Sequence, residues 1–316
     1  QSDEEAQRWF QIAYGGFKSL EKQSHDDQLQ YRLGWMCLHG VGTERDEQTA
    51  REWFERSAKL GNPHAQYQLA KLILADGSST AEQIRTAVEW LTKAADAGQD
   101  CAQYVLGKLH RDGVGVEKDM LQAVSWFALA AEQDNSYAAY ALGKLYLEGE
   151  EVPKDMGKAL RWLHRSAELG NQFAQYRLGR LLLAGEDVPK DVDEAVRLLT
   201  ASADQENQYS QYQLGKLYLL GHEVERDEEA AVEWFKRSAS QGNEYAQWFL
   251  DHLHEFGGPT PTQCVVRLLH HMSRIFQEQS QRQAGMQMDV DRKLRQEIRQ
   301  KKIAMGHKAD DHEQRM

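Results

Sequence analysis

The chain contains 316 residues, of which 41% are hydrophobic and 28% charged, and its mean hydropathy is -0.72. A single compact globule of this length usually carries more apolar residues, because the buried fraction of the surface rises with size, so the composition favours an elongated architecture. No run of roughly 18 apolar residues and no cationic start before an apolar stretch occurs, so neither a membrane span nor a signal peptide is visible.

The charge and the cysteine count narrow the function classes further. Acidic residues exceed basic ones by 49 to 38, a net charge of -11, which disfavours nucleic-acid binding by the body of the protein. Cys37, Cys101 and Cys264 are an odd number at wide spacing and form neither a disulfide framework nor a CxxC metal motif. The sequence therefore predicts a reduced, cytoplasmic protein.

Residues 1–29 are expected to form an N-terminal capping helix followed by a loop. The spacing of Ala6, Trp9 and Phe10 matches a spacing that recurs at Ala50, Trp53 and Phe54. Trp53 follows Trp9 by 44 residues, a longer step than any found later in the chain, which predicts an extended loop between them. The alternative is that this segment is the end of a repeat unit that began further upstream.

Residues 30–257 are predicted to consist of repeated units, because one aromatic position recurs at steps of 36 residues five times and 37 once. These positions are Tyr31, Tyr67, Tyr104, Tyr140, Tyr176, Tyr212 and Trp248. Most are followed two residues later by Leu and three residues later by Gly or Ala, then by a second glycine, an aspartate, an alanine and a tryptophan. Six complete units and the first half of a seventh are present.

Each unit is predicted to be an antiparallel pair of helices. In the unit around Tyr140, small and apolar residues fall on one helical face, and Gly149 ends this first helix in a conformation that other residues resist. Asp155 caps the second helix, and Gly170 ends it. A pair of this kind cannot bury its apolar face alone, so the pattern predicts an all-α, right-handed α/α superhelical solenoid with a concave and a convex wall and divergent capping helices.

The repeated residues resemble those of the Sel-one-like repeat family, a relative of the tetratricopeptide repeats that has a slightly longer loop. The resemblance rests on segments such as Ala65-Gln66-Tyr67-Gln68-Leu69, with the later Gly, Asp, Ala and Trp, and covers residues 31 to about 257. Some secreted members of the family have a disulfide within each repeat, and this sequence lacks the paired cysteines. The resemblance implies an adaptor or scaffold that binds a protein or peptide partner.

By analogy with tetratricopeptide repeats, the concave wall is expected to carry two rows of side chains. Four residues after the repeat tyrosines stand the cations Lys71, Lys108, Lys144, Arg180 and Lys216. Three residues before them stand the aromatic residues Tyr137, Phe173, Tyr209 and Tyr245. Cations beside aromatic faces suit a peptide with carboxylates and apolar anchors, so we expect an acidic partner here. The alternative is that the cations are solvated or paired with acidic loops, and that the aromatic residues only pack between units.

No catalytic, cofactor or metal site is predicted. The sequence lacks a glycine-rich phosphate loop, GxSxG and HExxH, and no Cys and His stand at a meaningful spacing. His252-Leu253-His254 resembles a metal-binding triplet, but residues two apart on a helix diverge by roughly 200 degrees. A metal held jointly with His270 or His271 is the minor alternative to ordinary packing histidines.

The C-terminal residues differ from the repeats. After Gly258-Pro259-Thr260-Pro261, a capping helix is predicted within 258–285, followed by a basic, partly disordered helical tail over 286–316. Residues 292–308 contain seven basic residues and one acidic residue, a net charge of +6. The candidate nucleic-acid contacts are Arg292, Lys293, Arg295, Arg299, Lys301 and Lys302. The tail is solvated or loosely docked, binds phosphates, or docks on a protein partner.

The last 55 or so residues resemble the C-terminal regions of bacterial plasmid-mobilisation relaxases that carry these repeats. The resemblance rests on segments such as Leu268-Leu269-His270-His271 and Val290-Asp291-Arg292-Lys293-Leu294-Arg295. It implies that a catalytic domain precedes Gln1 in a longer polypeptide, and none of that domain's motif is present here. Two functions are therefore predicted: a protein-interaction scaffold, and, as the alternative, a DNA-processing accessory that binds phosphates through its tail.

Overall fold

The computed structural model describes residues 2–77 and 79–252, and this part of the chain contains fourteen α-helices and no strand. The helices are α1 Ser2–Ser24, α2 Asp27–His39, α3 Glu47–Lys59, α4 Pro63–Ala75, α5 Ala81–Asp96, α6 Asp100–Asp112, α7 Met120–Glu132, α8 Ser136–Glu148, α9 Met156–Glu168, α10 Gln172–Ala184, α11 Val192–Asp204, α12 Gln208–Leu220, α13 Glu228–Ser240 and α14 Glu244–His252. The predicted all-α solenoid of helix pairs is confirmed.

The chain divides into two compact parts, which we call the N-terminal lobe (residues 1–210) and the C-terminal lobe (residues 211–316). In the N-terminal lobe, α2 packs on α3, α4 on α5, α6 on α7, α8 on α9 and α10 on α11, and each pair is one repeat. In the C-terminal lobe, α13 packs on α14. We refer to the two helices of each repeat, in chain order, as its first and second helix, so that α13 is a second helix and α14 is the first helix after it.

Aspartate caps begin most of the second helices, as the sequence predicts. In α9, for example, Asp155 Oδ1 accepts a hydrogen bond from the Lys158 backbone N–H at 2.9 Å. The second helix α5 has no such aspartate and begins instead at Thr80, which forms a reciprocal capping box with Gln83. Gly149 ends α8 at a φ of 69°, in the left-handed region that glycine adopts without strain.

The glycine three residues after the repeat tyrosine permits close packing of the two helices of a repeat. A Cβ placed on Gly143 of α8 would lie 2.8 Å from Leu163 Cγ and 3.2 Å from the Leu163 backbone nitrogen in α9. The small residue Ala159 is fully buried in the same second helix. Each repeat therefore packs its own two helices nearly backbone to backbone.

Buried glutamine side chains join several repeats of the N-terminal lobe to their neighbours. Gln103 of α6 donates to the backbone carbonyl of Ala95 in the preceding repeat at 3.1 Å, and its Oε1 accepts from Gln133 at 2.8 Å. Gln175, two repeats later, makes the same two contacts: it donates to the Ala167 carbonyl, and its Oε1 accepts from Gln205. Within the C-terminal lobe, Gln241 donates to Gln211 at 2.7 Å.

The predicted extended loop near the N-terminus is wrong. Helix α1 continues to Ser24, and only two residues separate it from α2. Contacts show that Ala13, rather than Ala6, occupies the position of Ala50. Gly42 lies against the backbone of Phe10, three residues before Ala13. The corresponding Gly115 lies against Ile84, which also stands three residues before the equivalent alanine of its repeat. The step from Ala13 to Ala50 is 37 residues, like one later in the chain. The two registers differ by seven residues, about two helical turns, so they present the same face and the sequence pattern does not distinguish them.

The predicted capping helix of residues 258–285 and basic tail of residues 286–316 lie outside the described residues. No described helix has the length and apolar character that a membrane span requires.

Candidate functional site

Three of the cations predicted four residues after the repeat tyrosines, Lys108, Arg180 and Lys216, lie beside the tyrosine rings of their own helices. In the N-terminal lobe, Lys108 Nζ lies 5.9 Å from the centre of the Tyr104 ring, and Arg180 Cζ lies 5.7 Å from that of Tyr176. A spacing of four residues brings two side chains together on one helical face, which explains the contact. In the C-terminal lobe, Lys216 Nζ lies 5.5 Å from the Tyr212 ring centre.

The aromatic residues predicted three residues before the repeat tyrosines contact the tyrosine of the preceding repeat. In the N-terminal lobe the ring centres are 6.1 Å apart for Tyr104 and Tyr137 and 5.9 Å apart for Tyr140 and Phe173. Tyr176 and Tyr209 are 6.1 Å apart, and in the C-terminal lobe Tyr212 and Tyr245 are 6.2 Å apart. The planes are tilted by 35° to 47°, within the geometry that aromatic pairs prefer.

The structure thus brings a cation and a second ring to the two sides of one repeat tyrosine. We call the surface that the predicted cations and aromatic residues form in the N-terminal lobe the ladder face. The aromatic residues do pack between repeats, as the alternative interpretation expects, yet Tyr137 and Tyr209 remain 54% exposed and Phe173 remains 42% exposed. Lys108 and Arg180 are also exposed. The same side chains therefore join the repeats and present π surface and positive charge to solvent.

The step of the ladder face around Tyr67 differs from the others. Cys101 stands where the later repeats have an aromatic residue, and it is half-buried beside Tyr67. Burial is the main cause that raises the Tyr67 pKa from the ordinary 10.0 to about 12, with smaller contributions from Cys101 and Asp100. Burial also raises the pKa of the Cys101 thiol. This step therefore has a half-buried thiol in place of a second aromatic ring, with Lys71 exposed on the same helix as Tyr67.

Lys144 of the ladder face has an acidic neighbour on its own helix. Its Nζ lies 3.9 Å from Glu148 Oε2, one turn further along α8, and Glu148 also accepts a hydrogen bond from Arg177 of the next repeat. The interpretation of the cations as paired with acids therefore holds here in part, but the acid belongs to the same helix rather than to a loop. Burial raises the pKa of the neighbouring Tyr140, while Arg177 lowers it.

Sequence reasoning missed a second set of cation and aromatic pairs, which lies on the second helices. In the N-terminal lobe, Arg56 lies 4.7 Å from the centre of the Trp53 ring, and Lys93 lies 4.5 Å from that of Trp90. In the C-terminal lobe, Arg237 lies 4.6 Å from the Trp234 ring. The sequence feature that could have predicted these pairs is a basic residue three positions after the repeat tryptophan, on the same helical face. Cation and aromatic contact is thus a feature of both helices of the repeat.

Within residues 2–77 and 79–252, no group of three or more His, Cys, Asp or Glu side chains is arranged to hold a metal ion. His254, His270 and His271 lie outside these residues, and the side chain of His252 is not described either. The basic residues proposed as nucleic-acid contacts, from Arg292 to Lys302, lie outside them as well.

Comparison with known proteins gives one family. The model of the Sel1 repeat matches residues 28–62, 63–99, 102–135, 136–171, 172–207 and 208–243. The structure is similar to that of a Sel1 repeat protein from Oxalobacter formigenes, with a TM-score of 0.68 and 34% identity, over 75% of this chain and 68% of that chain.

A second similar structure is that of c5321, a protective antigen of uropathogenic Escherichia coli strains that displays an SLR fold. The TM-score is 0.67 and the identity 29%, over 77% of this chain and 51% of that chain, so the match spans about half of that protein. A comparison with curated protein sequences gave no significant match.

Proposed function

Because the chain belongs to the Sel1 repeat family, whose members generally act as protein-interaction scaffolds, we propose that it is a scaffold that binds an acidic peptide or protein segment on the ladder face. The observation that carries this proposal is the exposed pairing of a cation with the repeat tyrosine at the same position of two repeats, Lys108 with Tyr104 and Arg180 with Tyr176. The protein as a whole carries a net charge of -11, so a row of exposed cations is a local exception to its charge.

The chemistry of the ladder face indicates what its partner contains. Carboxylates form charge-assisted hydrogen bonds with lysine and arginine, which are shorter and stronger than neutral ones. The exposed edges of Tyr137, Phe173 and Tyr209 offer apolar contact area between these cations. A segment that alternates acidic residues with apolar anchors satisfies both. The ring pairs between repeats hold the aromatic residues in place before binding, which lowers the entropic cost of association.

The experiment is a selection of peptides from a displayed random library on the intact chain. We expect the selected peptides to be rich in Asp and Glu with interspersed apolar residues. Their binding should be lost in the variant Lys108→Glu, Lys144→Glu, Arg180→Glu. The matched control is Arg56→Glu, Lys93→Glu, Arg161→Glu, which makes the same charge change beside the tryptophans of the second helices.

Retention of binding in the control and its loss in the first variant would support the ladder face. Equal loss in both variants would mean that only the net charge matters. Unchanged binding in the first variant would reject the ladder face as the site. Circular dichroism and thermal unfolding of both variants establish that the charge changes leave the fold intact.

For the basic tail we propose a second function, the binding of nucleic-acid phosphates. It is favoured by the segregation of charge, since residues 292–308 carry +6 in a chain of net charge -11. The resemblance of this segment to the C-terminal regions of mobilisation relaxases supports the same function. Fluorescence anisotropy of labelled single- and double-stranded DNA tests it, with the whole chain and with a chain ending at Ala284. Binding that weakens steeply with salt and is lost on truncation supports the proposal, and no binding by either chain rejects it.

A further inference from the structure

Three consecutive steps of the ladder face carry a tyrosine and a cation on one helix: Tyr104 with Lys108, Tyr140 with Lys144, and Tyr176 with Arg180. At the first and third of these steps the cation lies beside the tyrosine ring. At the middle step Lys144 contacts, among the described residues, Glu148 and not the Tyr140 ring, and its Nζ lies 3.9 Å from Glu148 Oε2. The cation of the middle step is thus engaged by a carboxylate of the protein itself.

Glu148 also binds the next repeat. Its Oε1 accepts a hydrogen bond from Arg177, which follows the repeat tyrosine Tyr176 by one residue. Burial is the main cause of the raised pKa of Tyr140, which Arg177 lowers and Glu148 raises, so both charges lie near this phenol. Glu148 is exposed. One carboxylate of the protein therefore occupies, between two cations, the place where a carboxylate of a partner would bind.

The steps on either side leave their cations to the solvent. The position that corresponds to Glu148 is Ala184 at the third step, and among the described residues no carboxylate pairs with Arg180. At the first step this position is Asp112, but both of its carboxylate oxygens accept hydrogen bonds from Arg111, at 2.8 Å and 3.0 Å. The lysine of the first step accordingly remains beside its tyrosine.

The carboxylate of Glu148 determines which partner residues suit the middle step. An acidic residue brought there would meet Glu148, and like charges placed together across an interface disfavour binding. To replace Glu148, that residue would have to compete with a carboxylate tethered beside both cations. Phe173, whose ring centre lies 5.9 Å from that of Tyr140, is 42% exposed and offers contact area to an apolar side chain. An apolar residue therefore suits the middle step better than an acidic one.

We propose that Glu148 sets the charge pattern of the partner segment, so that acidic residues face Lys108 and Arg180 and an apolar residue faces the middle step between them. This proposal rests on the proposed function of the ladder face and specifies the partner further. Glu148 acts as an internal counter-ion that excludes a third acidic residue. A segment that is acidic throughout binds less tightly than one whose acidic residues are interrupted at the middle step.

The probes are peptides selected from the displayed random library on the intact chain. Double-mutant cycles identify the peptide residue that faces each cation, by combining Lys108→Gln or Arg180→Gln with removal of each peptide carboxylate in turn. We expect the peptide residue that lies between these two acidic residues to be apolar. Its replacement with glutamate gives a second peptide, and the binding of both peptides is followed by fluorescence anisotropy.

The deciding variant is Glu148→Gln, because glutamine keeps an oxygen that can accept from Arg177 but carries no charge. The glutamate-substituted peptide should bind this variant about fivefold more tightly than it binds wild type, as removal of one exposed like-charge contact predicts. The original peptide should bind both chains alike. A library selected on the variant should yield peptides that carry a third acidic residue at the middle step.

Two matched changes serve as controls. Glu168→Gln removes the same charge from an exposed position of the second helix α9, and should alter the binding of neither peptide. Ala184→Glu places a carboxylate four residues after Arg180, as Glu148 stands four residues after Lys144. It should weaken the preference for an acidic peptide residue at the third step. Circular dichroism and thermal unfolding establish that each variant retains the fold.

The other outcomes separate this proposal from the function on which it rests. Equal binding of the glutamate-substituted peptide to wild type and Glu148→Gln would overturn the role of Glu148, while loss of binding in Lys108→Glu, Lys144→Glu, Arg180→Glu would still support the ladder face. Peptide binding that this triple variant leaves unchanged, or selection of no peptide, would reject the ladder face and the charge pattern together. An equal gain in Glu168→Gln would assign the effect to net charge and overturn the proposal.

Discussion

Gly107 of α6 faces the ring of Phe127 in α7 so closely that a Cβ on the glycine would lie 2.6 Å from two ring carbons. The ring itself is fully buried. Since neither helix can move away without opening the seams on both sides of the repeat, this contact fixes how near the two helices approach.

Gly107→Ala is therefore expected to destabilise the protein by about 1–3 kcal/mol, as overpacking of a well-packed core does. The matched control is Gly157→Ala, where an added Cβ meets nothing closer than 3.5 Å. That change should be neutral or stabilise the helix by up to about 1 kcal/mol. Urea unfolding followed by circular dichroism measures both, and equal effects of the two changes would contradict the close-packing argument.

Gln103 is expected to contribute to the seam between repeats through its side-chain amide. It is 4% exposed and bonds both the Ala95 carbonyl and the Gln133 amide. Gln103→Leu should cost about 1–3 kcal/mol of unfolding free energy, because it removes two hydrogen bonds of about 0.5–1.5 kcal/mol each, while the Ala95 carbonyl keeps the Gly98 N–H as a donor. Gln133→Ala, at an exposed position, should cost less. A larger loss for Gln133→Ala would show that the buried bond to Ala95 is unimportant.

The raised pKa of Tyr67 predicts a stability change in alkali. Burial favours the neutral phenol in the folded protein, with a pKa of about 12 against 10.0 for an ordinary tyrosine. The unfolded chain therefore releases its proton first, and the contribution of Tyr67 to stability is present below pH 10 and lost as the pH rises from 10 to about 12. Comparison of tyrosinate absorbance between wild type and Tyr67→Phe isolates its titration. Ionisation of this group near pH 10 would contradict the prediction.

The Cys101 thiol is expected to react slowly with disulfide reagents at mildly alkaline pH. Burial raises its pKa, so the reactive thiolate is less populated than in an ordinary cysteine. The rate assigned to Cys101, from the difference between wild type and Cys101→Ser, should fall below that of free cysteine. Partial denaturation in urea should remove the difference, and a rate above that of free cysteine would refute the expectation.

The repeats were accessible to sequence analysis because their signals are local. A step of 36 or 37 residues, an aspartate cap and a terminal glycine each act within a few residues of the chain, and Asp155 and Gly149 behave as predicted. The cation beside Tyr104, Tyr176 or Tyr212 follows from a spacing of four on one helix. These features need no knowledge of which repeats are neighbours.

The contacts that sequence analysis did not supply are those between repeats and those that depend on register. The partner of Tyr137 is Tyr104, 33 residues earlier, and only the packing of successive repeats brings them together. The glutamine bridges depend on the same packing. The N-terminal register was wrong because Phe10 and Phe17 stand two turns apart on one helical face, and only the contact between Gly42 and Phe10 identifies the correct one.

Contacts between adjacent repeats also determine how this chain can change in size. In the N-terminal lobe, Gln103 and Gln175 make the same two hydrogen bonds to their preceding and own repeats, so these repeats are chemically interchangeable units. Duplication or loss of one whole unit that carries this glutamine, such as residues 172–207, would recreate an equivalent junction rather than expose a new one. The extent of the ladder face can therefore evolve through the copy number of the repeats that carry this glutamine.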